Sequence, residues 1–194
     1  MSKRLIGLTG GIGTGKSAVS RYLADKYQLP ILDADIYAKE AVTPNSPIWR
    51  QIVNRYGTTI QLPDGGLNRK VLGEIIFNNP TEKSWLEGKI HPYVRERFLS
   101  EGQQLKADTV VLVIPLLFEA QMTDLVTEIW VVSCSDKQQL ERLIERDRLT
   151  PEQARARIQS QLLLSTKIAG ADLILDNSST LEHLQFQIDT ALKL

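Results

Sequence analysis

The sequence predicts an α/β fold in which a parallel β-sheet is covered by helices on both faces. Short apolar segments alternate with segments in which apolar residues recur every three or four positions, and this alternation is typical of βα units. A glycine-rich loop, Gly10–Ser17, lies between the first apolar segment and the first helical segment. Together these observations predict a parallel sheet that carries a ligand-binding loop at its edge.

Five segments have the composition of short buried strands. The clearest is rich in valine and almost wholly apolar, as expected for a strand buried on both faces. After the first strand and the glycine-rich loop, Ala18, Val19, Tyr22 and Leu23 recur at helical spacing. The predicted strands are Leu5–Thr9, Pro30–Leu32, Thr109–Ile114, Glu128–Cys134 and Asp172–Leu175.

Length and charge limit the classes of protein to consider. A chain of 194 residues with 42% hydrophobic and 24% charged residues has ordinary globular composition and can bury one substantial core. Acidic and basic residues balance at 23 each. A net charge of zero argues against general binding to nucleic acids or anionic membranes, so we expect neither as a partner, and we expect a monomer or weak oligomer.

Cysteine usage and the terminal segment indicate a compartment. Cys134 is the only cysteine, which excludes an internal disulfide framework and suits a reducing environment. We expect it to be an inert core thiol. The segment Met1–Arg4 leads directly into the first strand, and the longest apolar run, Val110–Leu117, is too short to cross a bilayer. We therefore expect a cytoplasmic protein.

A long helical insertion separates the second and third strands. We predict that residues 36–106 form it, because apolar residues recur there at helical spacing. Ser46 precedes Pro47 as an expected N-cap, and Asn68 and Thr81 are expected to cap two further helices. The dipeptide at 91–92, His91 followed by Pro92, is expected to end one helix and start another.

A second helical region follows the fourth strand and is rich in arginine. A helix is predicted from Asp136 to about Arg148, and Thr150–Gln153 has the form of a capping box with proline at the first helical position. A charge-rich segment is usually a solvated surface, but we expect at least one arginine here to contact phosphate, since arginine suits bidentate phosphate contacts. The five arginines are Arg142, Arg146, Arg148, Arg155 and Arg157.

The glycine-rich loop fits the pattern G-x-x-x-x-G-K-[ST], which binds phosphate groups. Glycines allow the backbone N–H groups to approach an anion closely, and the following helix adds its own N–H groups. Lys16 supplies a positive charge for the β- and γ-phosphates, and the Ser17 hydroxyl can ligate Mg²⁺. The expected phosphate-binding residues are Gly11, Ile12, Gly13, Thr14, Gly15, Lys16 and Ser17.

Asp33 follows the second strand and is the next residue with a predicted chemical role. Ligands of parallel sheets bind outside the carboxyl ends of the strands, so Asp33 is expected to face the glycine-rich loop. A carboxylate there can orient an alcohol, accept its proton or hold a water molecule on Mg²⁺. The alternative is a helix cap, which suits Asp35 better than Asp33.

Several short motifs occur together in this chain. They are Leu8–Ser17, Asp33–Asp35, His91–Pro92, Pro115–Glu119, Gln161, Ala171–Asp172 and Asp176–Asn177. With these motifs the chain resembles the dephospho-coenzyme A kinase family over nearly its whole length. The resemblance implies a P-loop NTPase fold with a five-stranded parallel sheet, ATP and Mg²⁺ as cofactors, and phosphorylation of the ribose 3′-hydroxyl of dephospho-CoA, the last step of coenzyme A synthesis. It implies a nucleotide-binding core (1–35, 107–139 and 161–194), a CoA-binding insertion (36–106) and a lid (140–160).

The same resemblance implies roles for single residues. Asp33 would assist the attacking hydroxyl and take part in holding the metal, Arg142 would reach the transferring phosphate, and Asn177 would lie beside the adenine. The sequence departs from the family at Ser165–Thr166, where an acidic pair is common, although Lys167 is retained. His91 matches the family, and a role in breaking the helix is at least as well supported as a contact with substrate.

Two other functions share the glycine-rich loop. One is a small-molecule kinase that acts on a nucleoside or nucleotide; the long insertion and Pro115–Glu119 favour dephospho-CoA over it. The other is a GTP-dependent switch, which would need an Asn-Lys-x-Asp sequence to read guanine. That tetrapeptide does not occur in the chain.

Overall fold

The structure, a computed structural model, describes Lys3–Lys193 apart from the side chain of Asn78. Its centre is a five-stranded parallel sheet with the strand order β2-β3-β1-β4-β5. The predicted strands are confirmed, each with bounds that differ by no more than one residue. They are β1 (Arg4–Gly10), β2 (Ile31–Asp33), β3 (Thr109–Val113), β4 (Glu128–Ser133) and β5 (Leu173–Asp176).

Both faces of this sheet are covered. Four successive residues of β3 are buried: Val110, Val111, Leu112 and Val113. Because alternate residues of a strand point to opposite faces, neither face of the sheet is open to solvent here. On one face the sheet packs against a helix that follows β1, α1 (Lys16–Tyr27), and against the last helix of the chain. The α/β fold with helices on both faces is therefore confirmed.

The chain divides into two compact units. One contains the residues up to Asp33 and those from Gly102 onward, and the other is Ala34–Glu101; the sequence predicts an insertion over 36–106. Besides α1, the helices are α2 (Ala34–Ala41), α3 (Pro47–Tyr56), α4 (Arg69–Asn78), α5 (Pro80–Gln104), α6 (Asp136–Asp147), α7 (Pro151–Gln159), α8 (Leu164–Ala169) and α9 (Leu181–Leu192).

The unit Ala34–Glu101 has a hydrophobic core of its own, which includes Ile52, Ile60 and Leu86. The expected caps at Ser46 and Asn68 are confirmed, since their side chains accept hydrogen bonds from Trp49 N and Val71 N. The sequence suggested that this unit is helical throughout, and that prediction is wrong. Between α3 and α4 lie a 3₁₀ turn, an antiparallel bridge between Gln61 and Leu67, and a tight turn at Gly65, whose φ of 82° suits glycine.

Two predictions within this unit are wrong. Pro92 does not break the helix, because α5 continues through it. Proline costs about 3 kcal/mol inside a helix, but Leu86, Val94 and Phe98 are buried on either side of it, and each buried side chain contributes about 1.5–3 kcal/mol. Nor does Thr81 cap α5. Asn79 does so, since its side-chain oxygen accepts from Thr81 N and Glu82 N.

The residues predicted to form a lid, 140–160, lie mainly in α6, a short turn and α7. The capping box at Thr150 is confirmed: its side chain accepts from Gln153 N, and the Gln153 side chain accepts from Thr150 N. Arg148 ends α6 in the left-handed conformation, with a φ of 53°. Among the helices between Lys3 and Lys193, none combines the length and apolar character that crossing a bilayer requires.

Candidate active site

The backbone of the glycine-rich loop adopts conformations that other residues rarely take. Gly10, Gly13 and Gly15 have φ angles of 146°, 79° and 106°, in the region that favours glycine. Thr14 is fully buried, and its hydroxyl donates to the Gly11 carbonyl at 2.9 Å, which closes the loop on itself. In the part of the chain that the structure describes, no side chain caps the start of α1, so its N–H groups suit an anion.

The Lys16 ammonium lies against the loop. Its Nζ donates to the carbonyl oxygens of Gly10 and Gly11 at 3.1 Å and 2.9 Å. Ser17 follows in the first turn of α1 and is exposed. The loop therefore combines a held positive charge, an accessible hydroxyl and an uncapped helix start, which together suit the polyphosphate of a nucleotide.

Asp33 lies at the edge of the sheet to which the loop belongs. It is the last residue of β2 and is aligned with Val113 of β3, which is aligned with Leu8 of β1. Two interstrand spacings, about 10 Å, therefore separate the Cα atoms of Asp33 and Leu8. Asp33 is half-buried. The alternative of a helix cap fits Asp35 poorly, because Asp35 lies inside the first turn of α2. Asp33 is the residue that directly precedes this helix.

Arg142 and Asn177 connect α6 to the glycine-rich loop. The Arg142 Nη2 donates to the Asn177 carbonyl oxygen at 3.0 Å, and the Asn177 side-chain amide donates to the Thr14 carbonyl oxygen at 2.8 Å. The Arg142 Nη1 is buried and finds no hydrogen-bond acceptor within Lys3–Lys193. A buried guanidinium nitrogen without an acceptor is costly, and a phosphate oxygen would satisfy it.

Two glutamines that the residue patterns did not single out as site residues hold the outer side of the loop. Gln139 Nε2 donates to the Ile12 carbonyl at 2.7 Å, and Gln161 Oε1 accepts from the Ile12 N–H at 2.8 Å. Gln139 is almost fully buried. The sequence could have indicated that Gln139 needs a hydrogen-bond partner. It lies four residues before Leu143, on the buried face of α6, where polar side chains are hydrogen-bonded.

Four of the five arginines predicted to cluster in α6 and α7 have different surroundings. Arg146 and Arg157 both form ion pairs with Asp147, at 2.8 Å and 2.9 Å. The hydrogen bond from Arg146, with the charges of both arginines, lowers the pKa of Asp147. Arg155 lines a cavity of about 280 Å³ together with Gly11, Gln139 and Gln161. Arg142 is therefore linked to the loop through Asn177, and Arg155 shares a cavity with Gly11 of the loop.

Cys134 directly follows β4 and is buried, as expected. Burial raises the pKa of its thiol, and the nearby Arg142 charge opposes this shift. A protonated, buried thiol is a poor nucleophile. Cys134 is therefore a packing residue beside Arg142 rather than a reactive group.

Comparison with known proteins identifies the family. The profile of the dephospho-CoA kinase family matches residues 4–183. The dephospho-CoA kinase of Trichormus variabilis is 62% identical over 192 residues, which cover 99% of this chain and 98% of that protein. The structure of dephospho-CoA kinase from Campylobacter jejuni has a TM-score of 0.73 at 27% identity and covers 98% of this chain and 96% of its own.

A shikimate kinase from Bacteroides thetaiotaomicron shares the fold alone. It has a TM-score of 0.60 at 12% identity and covers 98% of this chain and 99% of its own. The fold therefore occurs in kinases whose names give different acceptors. The fold does not select the acceptor, and the substrate must be argued from the family and from the site.

Proposed function

We propose that this chain, which belongs to the dephospho-CoA kinase family, transfers the γ-phosphate of ATP to the ribose 3′-hydroxyl of dephospho-CoA. The observation that carries the proposal is the placement of Lys16 and Asp33 at one edge of the sheet. One supplies positive charge for the phosphates and the other a carboxylate for the alcohol. Phosphoryl transfer needs little more than such positioning and charge neutralisation.

The loop is proposed to hold the ATP polyphosphate. Gly11, Gly13 and Gly15 let the backbone N–H groups approach the phosphate oxygens, and α1 adds the positive end of its dipole. Lys16 stabilises the charge that develops on the transferring phosphoryl group. Positioned charges of this kind are worth about 3–4 kcal/mol in the transition state.

The residues of the site also fit Mg²⁺. Within the described residues there is no group of three or more His, Cys, Asp or Glu side chains that could hold a metal by themselves. Mg²⁺ at nucleotide sites needs no such group, since it takes one or two protein oxygens along with phosphate oxygens and water. Ser17 and Asp33 would supply those protein oxygens. When bound, the ion would neutralise charge on the phosphates.

Asp33 is proposed to orient the acceptor. Its carboxylate would accept a hydrogen bond from the 3′-hydroxyl and take its proton as the bond to phosphorus forms. Because the transition state is loose, aiming the oxygen matters more than the strength of the base. Arg142 would place its unpartnered Nη1 on a phosphate oxygen, and Asn177 would lie beside the adenine.

The unit Ala34–Glu101 is proposed to bind dephospho-CoA. It contains a cavity of about 280 Å³ with an apolar wall that includes Leu72 and Ile76. Two cations, Lys39 and Arg69, and one carboxylate, Asp35, also line it. An apolar wall with an excess of positive charge suits a ligand that joins an alkyl-amide arm to a diphosphate. We further propose that the protein is cytoplasmic. We also propose that it is a monomer or weak oligomer, and sedimentation velocity on the purified protein would test this oligomeric state.

The activity can be tested by measuring ADP release with dephospho-CoA beside adenosine, AMP and shikimate as acceptors. We expect dephospho-CoA to be preferred by at least about 100-fold in kcat/KM, since a site built for polar groups rejects ligands that lack them. A preference for adenosine or AMP would identify a nucleoside or nucleotide kinase instead. Release of ADP at one rate with every acceptor would identify an ATPase.

A further inference from the structure

Lys167 is the one charged side chain that is fully buried between Lys3 and Lys193. It lies on α8, and its Nζ is 2.9 Å from Glu119 Oε1 and donates to the Pro115 carbonyl at 2.9 Å. Taking a charge out of water is costly, and a buried ion pair is weak evidence for stability alone. The roles assigned above to the nucleotide site leave this pair unexplained.

Glu119 connects the buried cation to the segment that follows the lid. Its Oε1 also accepts a hydrogen bond from the Leu162 N–H at 3.0 Å. Leu162 lies just beyond the end of α7, and its exposed side chain makes little contribution to the core. The carboxylate therefore fixes the backbone at this point through a charge-assisted hydrogen bond, which is stronger than a neutral one.

The residue before Leu162 is Gln161, which contacts the glycine-rich loop. Its Oε1 accepts from the Ile12 N–H at 2.8 Å, while Gln139 donates to the Ile12 carbonyl at 2.7 Å. Both backbone groups of Ile12 are thus held by side chains from outside the loop. The contacts run without a break from Lys167 through Glu119 and Leu162 to Gln161 and Ile12.

We propose that Lys167 and Glu119 are positioning residues for phosphoryl transfer. The buried pair sets the position of the Gln161 backbone, and Gln161 in turn holds the loop at Ile12. Neither residue is assigned a contact with ATP or the acceptor. The inference rests on the proposed kinase activity, because it assigns the pair a task at that same loop. Displacements of about 1 Å in a positioning group can cost about 100-fold in rate.

Two variants of the full chain separate positioning from stability. In the double variant Lys167→Met, Glu119→Leu, an apolar pair of similar volume replaces the ion pair, and such replacements are often neutral or stabilising. The variant nevertheless leaves the Leu162 N–H without its acceptor. Glu119→Gln does the reverse, since it keeps an acceptor oxygen but leaves the Lys167 charge uncompensated.

Steady-state kcat and KM for ATP, ATP affinity by calorimetry, and urea unfolding would be measured for each variant. We expect the apolar pair to keep its unfolding midpoint close to that of the unchanged protein but to lose about 10-fold or more in kcat/KM. We expect Glu119→Gln to unfold at lower urea, because the Lys167 charge is left uncompensated. We expect it to lose less kcat/KM per folded molecule than the apolar pair, because its amide oxygen can still accept from the Leu162 N–H. Glu141→Gln, at a side chain 61% exposed, is the control.

A double-mutant cycle with Gln161→Leu tests the connection itself. If Gln161 transmits the effect of the buried pair to the loop, adding Gln161→Leu to the apolar pair lowers kcat/KM little further. The reason is that substitutions along one chain of contacts do not have additive effects. The proposal is overturned if the losses in kcat/KM multiply. It is also overturned if the apolar pair keeps both the unfolding midpoint and the kcat/KM of the unchanged protein. Should the unchanged protein fail to phosphorylate dephospho-CoA, the proposed function fails, and the same cycle in ATP affinity still decides the role of the pair.

Discussion

The side-chain amide of Asn177 donates to the Thr14 carbonyl oxygen at 2.8 Å, which joins the loop after β5 to the glycine-rich loop. The same nitrogen occupies the space next to Gly15. A Cβ built on Gly15 would lie well inside van der Waals contact with it. Gly15 is therefore required twice, once for its φ of 106° and once for its lack of a side chain.

Gly15→Ala is expected to weaken ATP binding by at least about tenfold, since strained backbone in this region costs about 1–3 kcal/mol. Calorimetric titration with ATP would measure the loss. Gly88→Ala is the matched control, because Gly88 lies in α5 with open space around it. Adding Asn177→Ala to Gly15→Ala removes the clash but leaves the strained φ. Full recovery of ATP affinity in that double variant would contradict the backbone requirement.

Lys16→Ala is expected to lower kcat by about 100-fold or more while the protein stays folded. The ammonium donates to two carbonyl oxygens of the loop, and a charge aimed at the transition state is worth about 3 kcal/mol. Turnover and the circular dichroism melting curve would be compared with those of Lys137→Ala, whose side chain is 84% exposed. Near-normal turnover in Lys16→Ala would remove the loop from the mechanism.

Asp33→Asn is expected to reduce kcat strongly and to change ATP affinity by less than about threefold, because an amide can still occupy the position but cannot take the proton of the alcohol. Single-turnover transfer and ATP titration would separate the two quantities. Asp25→Asn, at an exposed position of α1, provides the control. A collapse of ATP binding with unchanged transfer per bound ATP would show that Asp33 serves the nucleotide alone.

Arg142→Ala is expected to slow transfer by about 10-fold or more with little change in melting temperature. The substitution removes one hydrogen bond to Asn177, which lowers stability. It also removes a buried nitrogen that has no acceptor among the described residues, which raises stability, so the two effects oppose each other. Arg21→Ala on the exposed side of α1 is the control. Equal losses of stability and activity would instead assign Arg142 a structural role.

Stability is expected to fall at acidic pH through Asp189. Hydrogen bonds from Lys26, Tyr27 and Tyr22 lower the pKa of this carboxyl to about 2, from an ordinary value of 3.8. A group whose pKa is lower in the folded state stabilises the protein above its unfolded pKa, and this contribution is lost as the pH falls from about 4 to about 2. The free energy of unfolding, measured with urea across that pH range, should depend less on pH for Asp189→Asn than for the unchanged protein. Parallel pH profiles would contradict this.

Much of the fold follows from the sequence because the interactions concerned are local. Alternating apolar and helical segments determine the strands, Ser46, Asn68 and Thr150 cap their own helices, and the loop pattern with its lysine and serine predicts a phosphate site. Each of these features depends on neighbours within a few positions. Even Asp33 can be placed at the correct sheet edge, since the carboxyl ends of parallel strands share one edge.

Only the tertiary structure decided the contacts between residues far apart in the chain. The sequence gives no sign that Gln139 would reach Ile12, or that Lys167 would be buried against Glu119. It also suggested a break at Pro92, where local preference is outweighed by apolar burial on either side. A short polar pattern specifies which groups need partners, but three-dimensional packing determines which partners they find.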